Sequence, residues 1–211
     1  MQEKVHEVCM NLGISRIESR TENDPDVRPY VFERDIEFLS IDLPPDLKRA
    51  ISIIDTLIDE RLAILASLHF TVPKREKLTM KTLNEINAQI QQRIANRDPA
   101  AYSAASVYAA CMKLRHAITL AESQGSDVLK GYLAKMVAEG TGPGGSKASQ
   151  ALVKDPAFRG LVELSRAWTK EIHPKPEITL DLVREQLEAH PDSRIIIFAT
   201  YRDTVQLLVD Y

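Results

Sequence analysis

Thr200, Tyr201 and Arg202 follow an apolar run at 195–198 and precede a stretch that reads as a helix. A hydroxyl, a phenol and a guanidinium would then stand where a buried strand gives way to a helix N-terminus. Open α/β sheets bind ligands at that position, and free backbone amides there favour phosphate. The trio suits hydrogen bonding to a nucleic-acid backbone. A plainer role fits the same residues, with Thr200 or Asp203 capping the helix and Arg202 solvated. The residues alone leave both open.

A second candidate is the run Gly140-Thr141-Gly142-Pro143-Gly144-Gly145-Ser146-Lys147. A phosphate-cradling loop needs Gly-x-x-x-x-Gly-Lys-Ser/Thr after a buried strand. Here Ser146 stands where the lysine must be, and a helical stripe precedes the run. The segment reads as a flexible connection, from which Lys147 is placed to touch a nucleic-acid phosphate. His6, His69, His116, His173 and His190 have no metal-ligand spacing. His69 falls at a helix end, His173 and His190 precede prolines, and His116 lies opposite an apolar stripe. Cys9 and Cys111 form no Cys-x-x-Cys and read as small core residues. No nucleophile, base and orienting group assemble from this sequence.

Net charge is −3 over 211 residues, which argues against a protein that coats nucleic acid all over. The charge is unevenly divided. Residues 45–172 hold 18 Lys+Arg against 13 Asp+Glu, net +5, and the other 83 residues hold 9 against 17, net −8. Lys74, Arg75 and Lys77 fall in a loop, Lys113 and Arg115 in a helix, and Lys147 in the glycine run. Such asymmetry marks either a polyanion-binding segment or ordinary solvated helix faces. No apolar run approaches the ~20 residues of a membrane span, and the N-terminus lacks a signal-peptide pattern. A soluble intracellular protein is the expectation.

These groups need elements to position them. Residues 3–12 place Val5, Val8, Cys9 and Leu12 on one helical face, with Gly13 just past the end. Residues 14–18 read as a short strand, 21–34 as a linker and 35–43 as a strand. Leu47, Ile51, Ile54, Ile58, Leu62, Leu65 and Leu68 then recur at helical spacing for about seven turns, opened by Pro44-Pro45. Leu83, Ile86, Ile90 and Ile94 form the next stripe, with Thr82 and Glu85 as a candidate capping box. Asp98-Pro99 opens an Ala-rich helix to about 124. Val107, Cys111, Leu114, Ile118 and Ala121 lie on one side of it, with Tyr102, Ala109 and Leu120 on the other, so it should be covered on two sides. Gly125 ends it and Ser126-Asp127 restarts. A stripe from Val128 to Val137 ends at Gly140, and Ser146 and Asp155-Pro156 cap two more helices, the last carrying Phe158, Leu161, Ser165, Trp168 and Ile172. Leu180, Val183 and Leu187 give one more amphipathic helix before 195–198, which reads as a strand buried on both faces. Such a strand needs neighbours, so the chain is expected to be part of a larger protein. The fold class is mainly α, a multi-helix bundle of five or six helices at 45–172 flanked by partial α/β edges.

The segment Ile195-Ile196-Ile197-Phe198-Ala199-Thr200-Tyr201-Arg202-Asp203-Thr204 resembles motif IV of superfamily 2 helicases, in the form found in archaeal Hef and its eukaryotic relative FANCM. His173-Pro174-Lys175 leading to Val183-Arg184-Glu185-Gln186-Leu187 is similar to the family's run into its second motor domain. Leu114-Arg115-His116-Ala117-Ile118, Glu122-Ser123-Gln124-Gly125, Ser146-Lys147-Ala148-Ser149 and Asp155-Pro156 resemble the family too. So does Glu22-Asn23-Asp24-Pro25-Asp26-Val27 with Arg28-Pro29-Tyr30, like the segment after the first motor domain's last motif.

The resemblance implies four parts: 1–34 as the end of a first RecA-like motor domain and linker, 35–44 as a strand leading into an insertion, 45–172 as a helical, thumb-like insertion, and 173–211 as the start of the second motor domain. It implies an ATP-dependent helicase or translocase for forked or branched DNA. The insertion would grip DNA through Lys74, Arg75, Lys77, Lys113, Arg115 and Lys147, while Thr200, Tyr201 and Arg202 contact one strand's backbone. No Walker A lysine, DExH box, motif III, motif VI or XPF-type nuclease motif occurs in the chain. ATP and Mg2+ are therefore expected for the intact protein and no cofactor for this part, which should not hydrolyse ATP alone. Expected partners are branched DNA and the remaining motor domains, with no membrane. Location would be cytoplasmic, at the nucleoid in an archaeon or in the nucleus of a eukaryote. Two rival readings stand beside this one: a free-standing helical interaction module whose basic surface meets an acidic protein, and an RNA-sensing helicase relative.

Overall fold

The computed structural model describes residues 2–31, 35–200 and 202–210. Residues 1–40 and 41–211 form two compact units. The first unit holds α1 (Gln2–Asn11) and a 3-10 turn at Arg28–Tyr30. Gly13 takes φ +65°, and the Ile14 amide returns to the Cys9 carbonyl at 2.9 Å, the left-handed stop expected for this helix. The apolar face of α1 is largely exposed, with Cys9 half-buried.

The second unit contains α2 (Pro45–Ser67), α3 (Met80–Ala95), α4 (Pro99–Ser123), α5 (Ser126–Thr141), α6 (Lys147–Lys154), α7 (Pro156–Arg166), α8 (Lys175–Ala189) and α9 (Arg202–Asp210). Helices α2 to α7 make one core. With 23 residues, α2 extends for roughly 35 Å, and Leu47, Ile54, Leu57, Ile58, Leu62 and Leu65 bury along it. It ends with His69 in the left-handed region, where the Phe70 amide closes on the Leu65 carbonyl at 3.1 Å. Arg93 of α3 secures that end, donating to the carbonyls of Leu68 and His69 and stacking 4.2 Å above the Phe70 ring.

Helix α4 is the axis of the bundle and packs against α2, α3, α5 and α6. Its Ala101, Ala104, Ala110, Ala117 and Ala121 are all buried. Small side chains let neighbouring helices approach closely, so an Ala-rich sequence suits a helix surrounded on several sides. Tyr102, expected on a covered face, is instead exposed, whereas Leu120 is buried.

Local capping follows the chemistry of the residues. Asp98 and Asp155 each accept from the second helical amide behind a proline, both at 2.9 Å, and Ser146 accepts from Ser149 at 3.3 Å. The capping box of α3 lies one turn earlier than Thr82 and Glu85. Thr79 is the N-cap and Thr82 its reciprocal partner, which brings Leu83, Ile86 and Ile90 inside the helix. Helix α7 stops at Arg166, before Trp168 and Ile172, and both of those pack on the core from an irregular segment.

Three expected strands, at 14–18, 35–43 and 195–198, are absent: no strand occurs among the described residues. A strand is a hydrogen-bonded pairing, and none of these segments has a described partner for its ladder. The apolar run at 195–198 is therefore exposed rather than buried on both faces, with Ile196 at 75% and Phe198 at 90%. The glycine run at 142–145 is a tight turn between α5 and α6, where a Cβ on Gly145 would overlap the Glu139 carbonyl oxygen. Close packing is what requires glycine there.

Candidate nucleic-acid interface

The sequence-predicted trio sits where α9 begins. Arg202 is the first helical residue and is exposed, Thr200 is exposed in the bend before it, and Tyr201 lies outside the described residues. Beside them is an open groove of about 320 Å³ lined by residues of 197–200, by Thr204 and Leu208 of α9, by Lys175, Pro176 and Thr179 of α8 and by Ser123 and Gln124 at the end of α4. Thr204 Oγ1 donates to Gln124 Oε1 at 2.6 Å, tying α9 to α4.

The α4–α5 turn is the anchor for this end of the molecule. Glu171 Oε1 accepts from the Ser126 amide at 2.7 Å, the Ser126 hydroxyl at 2.5 Å and the His173 amide at 2.7 Å, while Oε2 accepts from the Asp127 amide at 3.0 Å. A carboxylate from 45 residues away thereby caps α5, whose own N-cap is Gly125 and has no side chain to offer. Burial alone would raise the Glu171 pKa, but the hydrogen bonds from Asp127, Ser126 and His173 outweigh it, and the net shift is downward. Asp127 shifts upward, first through burial and then through the Glu171 charge.

His173 is buried. Its Nδ1 accepts from the Lys175 amide at 3.1 Å, so the proton belongs on Nε2, which faces the Glu122 carbonyl at 3.3 Å. Burial holds its pKa below the ordinary value, with the Lys175 charge acting in the same direction. Lys175 Nζ reaches the carbonyl of Ser123 at 3.2 Å and of Glu122 at 3.5 Å, placing a cation at the negative end of α4. Lys175 and Thr204 did not emerge as site residues from the sequence, because their roles depend on the fold bringing 122–124 beside them.

The bundle cations divide into two groups. Arg75 lies 3.4 Å from both Asp55 and Asp59 of α2, Lys113 donates to Glu139 at 2.7 Å, and Arg115 is half-buried with its charge acting on Asp55. The Lys113 hydrogen bond, followed by those of Ser146 and Ser149, pulls the Glu139 pKa down to about 2. Arg75 and Lys113 are thus engaged with carboxylates of the bundle itself. Lys74, Lys77 and Lys147 are exposed and make no ion pair among the described residues. His116 meets Tyr132 edge-on at 4.9 Å, and Tyr132, with its pKa raised to about 12 first by burial, reaches the Lys113 carbonyl at 3.3 Å. Burial also pushes the Cys111 thiol up to about 12, so it remains an unreactive core residue.

Comparison with known proteins bears on what this arrangement serves. Residues 46–173 match the family described as "Putative ATP-dependent RNA helicase, helical bundle". Over 208 residues the chain is 36% identical to a Methanocaldococcus jannaschii protein described as "Putative ATP-dependent RNA helicase", covering 99% of this chain and 25% of that protein. Its fold matches the Pyrococcus furiosus Hef helicase domain with a TM-score of 0.71 and 31% identity, over 100% of this chain and 44% of that one. The chain belongs to the Hef/FANCM helicase family. Its similarity extends to an ATP-dependent DNA helicase of Neurospora crassa, 27% identical over 98% of this chain and 19% of the relative. It extends also to the DEAD-box ATP-dependent DNA helicase Fancm of Drosophila melanogaster, 27% identical over 98% of this chain and 15% of the relative. The chain thus spans a quarter or less of these curated relatives. Mainly α architecture is the family's helical bundle here, and no helix is long and apolar enough to cross a membrane among the described residues.

Proposed function

We propose that this chain is the nucleic-acid-gripping middle portion of an ATP-dependent helicase or translocase that works on forked or branched DNA. The observation that carries the proposal is the match of the whole of this chain to 44% of the Hef helicase domain, joined by relatives named as DNA helicases. In this reading α2 to α7 form the insertion, and the segments at 1–44 and 173–211 are edges of two RecA-like motor domains whose sheets need further strands. Exposed apolar residues at 195–198 are compatible with such a missing neighbour.

Within this reading, exposure and existing ion pairs suggest which cations would do the gripping. Lys74, Lys77 and Lys147, exposed and without an ion pair among the described residues, would be the first to meet phosphates, while Arg75 and Lys113 are engaged with carboxylates of the bundle and Arg115 is half-buried. Thr200 lines the groove and Arg202 opens α9 two residues on, where free amides favour phosphate, and Tyr201 is kept as a contact on sequence grounds. Contacts of this kind are electrostatic and indifferent to base sequence. ATP and Mg2+ would be held by other segments of the longer protein. The glycine run here joins two helices, and its Ser146 is spent capping α6, so it does not fit a nucleotide phosphate.

Fluorescence anisotropy with a labelled fork tests the reading. Combined reversal, Lys74→Glu with Lys77→Glu and Lys147→Glu, should weaken fork binding at least tenfold, as should Arg202→Glu on its own, while Lys113→Met should leave it within about twofold. Unchanged affinity in the triple variant would overturn the proposal. The family description names RNA, so a second reading is RNA binding by the same surface. Duplex RNA displacing the fork more effectively than unlabelled fork DNA would select it.

A further inference from the structure

Two hollows lie side by side between α5 and α7, with volumes of about 200 and 370 Å³, and share Val137, Val162 and Arg166. Together they form one continuous groove. Its floor is aliphatic: Ala134 and Val137 come from α5, Val153 from α6 and Val162 from α7. Its rim carries Lys130, Arg159 and Arg166 against the single carboxylate of Glu163. Glu163 is already paired with Arg166 at 2.6 Å, and Lys130 donates to the neutral Trp168 carbonyl at 2.8 Å while its charge also acts on Asp127, one turn earlier on α5. Arg159 is exposed and has no ion pair among the described residues. The rim therefore carries net positive charge around an apolar floor, with Arg159 as its unpaired cation among the described residues.

We propose that the α5–α7 groove is a docking surface for an acidic amphipathic helix of a partner protein. An aliphatic floor between two helices accepts apolar side chains spaced i and i+3 or i+4, and the adjoining hollows supply one seat for each of two such anchors. Acidic residues flanking those anchors complement Lys130 and Arg159 at the rim, which fixes orientation and speeds encounter. Nucleic acid fits the groove poorly. Bases stack on exposed aromatic faces, and the aromatic here, Phe158, is fully buried beneath the floor. The surface is separate from the groove beside Thr200 and Arg202, so the proposal does not depend on how that groove is used.

Selection of a display library of 16-residue helical peptides against the full chain tests it. Selected sequences should carry two apolar anchors at i and i+3 or i+4 with flanking Asp or Glu. Their binding should fall at least tenfold in Arg159→Glu and in Val137→Glu, two changes at positions that are not fully buried. Backbone amide shifts on binding should concentrate on α5 and α7. Neutral or basic selected sequences, or peptides that bind both variants as well as the parent, would overturn the proposal. Forked DNA displacing a bound peptide from the parent while failing to do so from Arg159→Glu would assign the groove to nucleic acid. Self-association of the chain that is lost in Arg159→Glu would assign it to a second copy.

Discussion

Replacing Gly125 by alanine should cost this chain more than its place in a short turn between two helices implies. Gly125 sits at φ +115° and ψ 170°, a region open essentially to glycine alone, and holding alanine there costs about 1–3 kcal/mol. The new Cβ would also lie 2.6 Å from Glu171 Oε2 and 3.0 Å from its Cδ, so the carboxylate must leave its seat. Displacing it uncaps α5, worth roughly 0.5–2 kcal/mol. The expected total is about 2–5 kcal/mol, read as a shift in the urea midpoint at unchanged slope. Glu171→Ala alone should cost about 1–2 kcal/mol, since it removes the cap without the strain. The double variant is the sharper readout. With the carboxylate gone, the alanine methyl meets no obstacle, so the two changes should sum to about 1 kcal/mol less than the separate costs. A Gly125→Ala cost below about 1 kcal/mol, or strict additivity in the cycle, would refute the clasp as described.

Other changes probe other parts of the argument. Leu114→Ala in α4, at a site with no exposed area, should cost about 2–5 kcal/mol by chemical denaturation. His173 has a folded pKa below the ordinary 6.5, first because it is buried, so the unfolded chain takes up a proton that the native chain refuses. Stability from this group is complete above about pH 6.5 and declines as pH falls below it, and His173→Gln should flatten that part of the melting-temperature profile. Glu139 behaves as a lowered carboxylate: its contribution is present above the ordinary 4.5 and is lost as pH falls towards 2. Lys113→Met removes the first cause of that shift and should flatten urea midpoints measured between pH 4.5 and 2.5. Arg61 is 8% exposed and donates to Asp155 at 2.6 Å, so Arg61→Ala should be strongly destabilising, by about 3 kcal/mol on the scale of buried pairs.

How far the sequence reached depended on distance along the chain. Caps at Asp98, Ser146 and Asp155 were legible because donor and acceptor lie within three residues, and those caps with the apolar stripes between them led to an expectation of five or six helices, of which the bundle has six, α2 to α7. The cap on α5 was not legible, because its carboxylate comes from Glu171 and only the fold brings it to Ser126. Strand expectations at 14–18, 35–43 and 195–198 failed for a related reason: residue type describes readiness to pair, while pairing needs a partner elsewhere. Among the proposed contacts, nothing local separated Lys113 from Lys147. The Glu139 carboxylate that occupies Lys113 lies 26 residues away, across two helices.

The proposed grip on nucleic acid makes its plainest statement through salt. If Lys74, Lys77, Lys147 and Arg202 together neutralise about four phosphates, fork affinity should fall roughly a hundredfold between 50 and 200 mM monovalent salt. The decisive measurement is the dissociation constant of the parent chain for a forked DNA at those two concentrations, taken alongside the Lys74→Glu, Lys77→Glu, Lys147→Glu variant. A steep fall for the parent and a clearly shallower one for the variant is the predicted result. Fork affinity that is the same at both salt concentrations, or equally steep with the lysines reversed, would contradict it.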